Sequence, residues 1–188
     1  MDRVKHDNEV FTMKYFAEII NSLHFSRVKV FDPHSAVSEA LLNRIEIIPV
    51  TEYIKRAISE IGNENLVMFY PDEGAVKRYS ELTSTPFVYG MKNRGWETRE
   101  IRGLQIVDPA HLVKGHNVLM VDDICSSGKT LCIAAKELLE LGAADIYVYV
   151  SHCENTVVDS ELLTIVKRLY TTDSIYRNNH QKVSLVSE

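Results

Sequence analysis

Asp122 and Asp123 are the residues of this chain whose type and spacing speak most directly of chemistry. They close the run Asn117-Val118-Leu119-Met120-Val121, and after Ile124 comes the turn Cys125-Ser126-Ser127-Gly128-Lys129-Thr130. Four consecutive apolar residues without alternation read as a strand buried on both faces, as in a parallel sheet. Open α/β sheets place their ligands at the carboxyl ends of such strands. Beyond the turn, Leu131, Ala134, Ala135, Leu138 and Leu141 recur on one face of a helix. A turn of this composition gathers backbone N–H groups, the hydroxyls of Ser126, Ser127 and Thr130 and the positive end of a helix, which together suit a phosphate. Two carboxylates repel a bare phosphate, so their expected work is to hydrogen-bond sugar hydroxyls, directly or through a divalent cation.

Gly128-Lys129-Thr130 looks like the tail of a nucleotide-binding phosphate loop, but that motif needs a second glycine where Asp123 stands. An ordinary buried strand with a capped helix accounts for the apolar run and for Ser127, though not for two adjacent acids. The segment resembles the ribose-phosphate signature of type I phosphoribosyltransferases and of ribose-phosphate diphosphokinases. That resemblance implies that Asp122 and Asp123 hold the ribose 2- and 3-hydroxyls while the turn from Cys125 to Thr130 holds the 5-phosphate. The Cys125 thiol reads as a packing group, because the neighbouring acids disfavour its thiolate.

Periodicity predicts the elements that position these residues. A helix is expected over 8–23, a strand over 27–31 ending in Asp32-Pro33-His34, and a short helix over 36–42. A strand over 45–50 follows, then a helix from a Thr51 cap to Ile61. A strand over 65–70 runs into the turn Pro71-Asp72-Glu73-Gly74, with a helix over 76–82 and a strand from Pro86 to Tyr89 behind it. Residues 90–103 read as a long charged loop containing Lys92, Arg94 and the sole tryptophan, Trp96. Strands over 104–107, 145–150, 166–170 and 182–186 and a helix over 158–163 complete the chain. The alternation predicts an α/β fold, a mostly parallel sheet flanked by helices. Its parallel strands present their carboxyl ends on one edge, so Asp32, His34, Asp72, Gly74, Lys92 and Arg94 are candidates to join the phosphate cradle there. Singly, each has a plain structural account: His34 as a satisfied histidine, Asp72 as a helix N-cap, Lys92 and Arg94 as solvated charge.

The order of these motifs narrows the resemblance. Ribose-phosphate diphosphokinases (PRPP synthetases) carry Asp-x-His, Pro-Asp-x-Gly, Lys-x-Arg and the ribose-phosphate signature in succession. Here stand Asp32-Pro33-His34, Pro71-Asp72-Glu73-Gly74, Lys92-Asn93-Arg94 and Asp122-Asp123. Met1-Asp2-Arg3 and Thr172-Asp173-Ser174-Ile175 look like two further family stretches. The family transfers the β,γ-diphosphate of ATP to the 1-hydroxyl of ribose 5-phosphate with Mg2+. The resemblance implies that His34 and Asp72 sit at the magnesium–ATP phosphates, that Asp72, Glu73 and Gly74 bind diphosphate, and that Lys92, Arg94 and His34 are catalytic. Ala75 replaces a second glycine, Pro33 a common leucine, and the loop past Arg94 differs. Family members carry another half before this point, so 1–49 is expected to be the remainder of an N-terminal half and 50–188 the C-terminal phosphoribosyltransferase-like domain. Family members also associate, which implies a homo-oligomer. A transferase that consumes PRPP, or a non-catalytic ribose-phosphate-binding regulator, are the other readings of the same cradle.

Bulk properties narrow the classes. The 188 residues carry a net charge of −5 with no basic run, which argues against nucleic acid. No apolar stretch is long enough for a bilayer, and Met1-Asp2-Arg3-Val4-Lys5-His6 does not resemble a signal peptide, so no membrane association is expected. Cys125, Cys132 and Cys153 cannot all pair and match no zinc spacing, which suggests a reducing cytoplasm.

Overall fold

The computed structural model describes residues 4, 8–94 and 101–187, with the backbone alone at 92–94 and 101–103. The chain divides into two compact units, Met1–Val50 and Thr51–Glu188.

The first unit contains α1 (Thr12–Ser22), β1 (Val28–Phe31), α2 (Val37–Leu41) and β2 (Ile45–Ile48). The two strands pair in parallel, Val28 opposite Ile45 and Phe31 opposite Ile48, as a two-stranded sheet. Asn21 near the end of α1 ties that helix to the chain between α2 and β2. Its Nδ2 donates to the Leu41 carbonyl at 2.9 Å and its Oδ1 accepts from the Asn43 N–H at 2.8 Å. Asp32 ends β1 in a left-handed conformation, φ 45°, with its side chain buried.

The second unit runs α3 (Thr51–Ile61), β3 (Leu66–Tyr70), α4 (Glu73–Tyr79), β4 (Phe87–Arg94), β5 (Ile101–Val107), β6 (Asn117–Cys125), α5 (Lys129–Glu140) and β7 (Ile146–Cys153). A 3-10 turn (Asn155–Asp159), α6 (Leu162–Ile165), β8 (Arg168–Thr171) and β9 (Val183–Leu185) follow. Its seven-stranded sheet has the order β5-β4-β3-β6-β7-β8-β9. Every neighbouring pair is parallel except β4 with β5. Successive strand residues point to opposite faces, and both faces are covered. On one, Val67, Phe69, Val118, Met120, Ile146, Val148 and Val150 pack with Leu131, Ala134, Ala135 and Leu138 of α5. On the other, Tyr70 stacks on Tyr79 of α4, the ring centroids 6.4 Å apart.

The expected charged loop over 90–103 is largely an antiparallel hairpin. β4 continues to Arg94 and β5 begins at Ile101, paired from Tyr89–Val107 to Arg94–Ile101 with a bulge at Asn93/Arg94. An edge strand pairs through its backbone and tolerates charge, so apolar alternation did not announce it. Gly90 lets β4 run tight against the end of β3: a Cβ there would lie 2.8 Å from both the Pro71 carbonyl oxygen and Leu104 Cδ1. Residues 95–100, Trp96 among them, lie outside the described residues, as does Met1-Asp2-Arg3. β6 and β7 run past the expected strand ends, to Cys125 and Cys153, and the helix expected over 158–163 is split between the 3-10 turn and α6.

Candidate functional site

The chain leaves β3 for β4 on one side of the sheet and leaves β6 for β7 on the other. The order therefore reverses between β3 and β6, and a crevice opens at the carboxyl ends of those strands. α4, which follows β3, covers one face, and α5, which follows β6, covers the other. The turn Asp72-Glu73-Gly74 and the stretch Asp122 to Thr130 thus border the same opening. The backbone of Lys92 and Arg94 continues β4, parallel to β3, toward the same edge. Their side chains are outside the described residues. His34 is an exposed residue of the first unit.

Asp122 and Asp123 lie within the last residues of β6, where strand geometry turns successive side chains apart. The Asp123 N–H donates to Asp122 Oδ1 at 2.9 Å. Arg78 of α4 reaches both acids: Nη2 stands 3.5 Å from Asp122 Oδ1 and 3.4 Å from Asp123 Oδ1. The Arg78 guanidinium also lies over the Tyr79 ring, 5.1 Å from its centroid. Burial pushes the Asp122 carboxyl up to about 8, and the adjacent Asp123 adds to the rise; the Asp123 N–H and Arg78 oppose it. At neutral pH Asp122 accordingly favours its protonated form beside Asp123. Such a pair both donates and accepts, which is what a vicinal diol requires.

Gly128 caps α5 in the left-handed region at φ 71°. A Cβ there would meet Leu162 Cδ2 and Ser160 Oγ, each at 3.0 Å, so both conformation and space call for glycine. With no side chain to cap it, the first turn of α5 keeps its N–H groups for an outside acceptor. The turn is braced from the chain after β7. The Glu154 N–H donates to the Cys125 carbonyl at 2.8 Å, and Thr156 Oγ1 donates to the Ser126 carbonyl at 3.2 Å. Ser126 Oγ donates to Glu154 Oε2 at 2.6 Å, so this hydroxyl braces the turn, whereas the sequence had placed it in the cradle. Ser127 and Lys129 line a cavity of about 440 Å3 with Thr156, Ser160 and Glu161, and Thr130 is exposed on the first turn of α5. Cys125 is buried in the core beside its strand partner Cys153, in keeping with a packing role. The Cys125 thiol and burial raise the Cys153 thiol far above its ordinary value. A larger cavity, about 790 Å3, opens beside Leu66 and Pro86 at the amino ends of β3 and β4, on the wrong edge for this chemistry.

Asp72 is the N-cap of α4, its Oδ1 accepting from the Ala75 N–H at 3.0 Å. Gly74 follows closely: a Cβ there would stand 3.1 Å from that same oxygen. Sequence reasoning missed Arg78, Glu154 and Thr156. Arg78 borders the buried pair Ala75 and Tyr79 on α4, a one-turn spacing that gave a signal without naming a partner. Glu154 and Thr156 follow the carboxyl end of β7, where the rule applied to the other strands would have found them.

Residues 37–185 match the family model of the phosphoribosyl transferase domain, and the chain belongs to that family. The curated proteins it resembles include ribose-phosphate pyrophosphokinases, as the order of the motifs leads one to expect. The chloroplastic ribose-phosphate pyrophosphokinase 3 of Oryza sativa subsp. japonica is 32% identical over 162 residues, covering 80% of this chain and 38% of the relative. The enzyme of Marinomonas sp. (strain MWYL1) is 26% identical over 179 residues, covering 92% and 56%. The crystal structure of phosphoribosylpyrophosphate synthetase from Mycobacterium smegmatis shares the fold with a TM-score of 0.81 at 18% identity, over 98% of this chain and 62% of that one. The chain thus spans roughly half or less of these curated relatives' length.

Proposed function

We propose that this chain supplies the ribose 5-phosphate site of a ribose-phosphate diphosphokinase, which transfers the β,γ-diphosphate of ATP to the sugar's 1-hydroxyl. The observation that carries the reading is the acidic pair at the switch between β3 and β6, flanked by an uncapped helix start. Asp122 and Asp123 hold the diol, and the backbone amides from Cys125 to Thr130, with the side chains of Ser127, Lys129 and Thr130, hold the 5-phosphate. Asp72, Glu73 and Gly74 meet the diphosphate. Lys92 and Arg94 stabilise the charge that grows on the transferring phosphoryl oxygens, and His34 assists at the ATP phosphates.

Mg2+ fits the oxygen donors at this edge. It is commonly held by one or two carboxylates together with substrate phosphates, and Asp72 and the acidic pair offer carboxylates without forming an all-protein cage. Among the described residues no group of three or more His, Cys, Asp or Glu gathers for a metal. Asp72 is the candidate of the second unit to hold the ion and His34, by the resemblance, that of the first; the ion would neutralise phosphate charge when bound. His34, a nitrogen donor, suits this hard cation less well than Asp72 does. Among the described residues no helix is long and apolar enough to cross a membrane. A cytoplasmic home, a homo-oligomer and no nucleic-acid partner belong to the same reading.

Calorimetric titration with ribose 5-phosphate tests it, followed by 31P NMR of the mixture with ATP and Mg2+. Binding that falls at least tenfold in Asp123→Asn is expected. Absence of ribose 5-phosphate binding in the unaltered chain would overturn the proposal, while a chain that instead consumes PRPP with a free base is a transferase of the other kind.

A further inference from the structure

The cavity of about 790 Å3 beside the amino ends of β3 and β4 lies wholly within the second unit, on the sheet edge opposite the crevice. Small-molecule sites commonly enclose about 300–1,000 Å3. The last turns of α3 line it through Lys55, Ile58 and Ser59, and the turn between α4 and β4 lines it from Glu81 to Pro86. Asn63 and Leu66, where the chain passes from α3 into β3, complete the lining.

The lining is rich in neutral polar groups. Thr83, Ser84 and Thr85 bring three consecutive hydroxyls, and Ser59 and Asn63 add a fourth hydroxyl and an amide. Side chains of these types in turns ordinarily hydrogen-bond nearby backbone groups. Among the described residues none of the five does so, and Thr83 Oγ1 is buried without a partner. The hydroxyls at the carboxyl edge behave otherwise. Ser126 bonds Glu154, Thr156 bonds the Ser126 carbonyl, and Thr172 and Ser174 both bond the Ser151 carbonyl. Those groups brace the chain, whereas the ones at the cavity are left for an outside partner.

Charge sets the class of that partner. The cavity adjoins the carboxyl ends of α3 and α4, where helix partial charge is negative. Glu81 adds a carboxylate, and Lys55 is engaged by Glu52 at 3.0 Å. A phosphate is therefore poorly served here. A ligand with several hydroxyl donors suits the negative helix ends, and Ile58, Leu66, Leu82 and Pro86 offer an apolar wall for a ring face.

We propose that this cavity is a second binding site, for an uncharged polyhydroxylated molecule, a free sugar or a nucleoside. The inference stands on the cavity alone and not on the chemistry of the crevice.

Amide NMR of the full 188-residue chain tests it, with ribose, adenosine, ribose 5-phosphate and AMP as probes. Ribose or adenosine, at up to about 10 mM, should shift the amides of Ser59, Asn63, Thr83 and Thr85. Response to both means that the sugar suffices; response to adenosine alone means that the base is read as well. The phosphorylated probes should bind at this edge about tenfold more weakly or worse. Ser84→Tyr, which fills the cavity, should weaken the uncharged probe about tenfold or more and leave ribose 5-phosphate binding at the crevice unchanged. Ser59→Tyr on α3 should do the same and serves if the first variant does not fold. Asp123→Asn should leave the shifts at this edge as they are. Absence of these shifts with both uncharged probes would overturn the proposal. So would equal binding of AMP there, or shifts that vanish in Asp123→Asn. A chain that keeps the shifts but binds no ribose 5-phosphate would break the crevice reading and leave this one standing.

Discussion

β3 and β1 are both short parallel strands built from apolar residues, yet they end up in different surroundings. All five residues of β3 are buried, under helices on both faces. None of the four in β1 is. The same contrast separates α5, whose one apolar face is buried to Leu138, from α1, whose Tyr15, Phe16, Ile19 and Leu23 stay about half exposed. Apolar pattern states how an element is to be packed. Whether the packing is present depends on what else the polypeptide brings, and the second unit brings it while the first does not.

Substitutions that remove core atoms test this contrast with the largest effects. Leu119→Ala in β6, at 0% exposure, should cost about 3–5 kcal/mol in chemical denaturation, the range for fully buried leucines. Leu42→Ala in the first unit should cost less than half as much, because its surroundings are incomplete; an equal loss would mean that the first unit has a core of its own. Gly128→Val should cost about 2–3 kcal/mol through left-handed strain and overpacking against Leu162 and Ser160. It should also abolish ribose 5-phosphate binding in calorimetry.

A smaller effect comes from Asp122. Folding raises its carboxyl to about 8, so between roughly pH 4 and 8 the native state holds a proton that the unfolded chain has released. The group therefore lowers stability progressively as pH rises through that window, and the loss levels off above about 8. Asp122→Asn should flatten this part of the stability profile in urea titrations run across pH. The smallest change is expected from Phe16→Ser on the open face of α1, within about 0.5 kcal/mol, with a gain in solubility that light scattering reads. A loss of 2 kcal/mol or more would show that the face is already covered.

Much of the second unit was legible because buried parallel strands are continuous apolar runs, and each helix between them shows a 3.6-residue stripe. The β4–β5 hairpin was not, since edge pairing is made by backbone groups that no side-chain period reports. Arg78 was equally hidden. Nothing local distinguishes an arginine on a helix border that reaches two acids 44 and 45 residues away from one that reaches water.

The amino-acid order alone determined the residue types at the crevice: adjacent acids after an apolar strand, then a glycine-containing turn opening a helix. These are local facts, written in consecutive residues. The strand order that sets β6 beside β3, the guanidinium shared between Asp122 and Asp123, and the brace from Glu154 and Thr156 were decided only by tertiary structure. They join residues distant in the chain, and their energies depend on burial and distance, which no local sequence pattern contains.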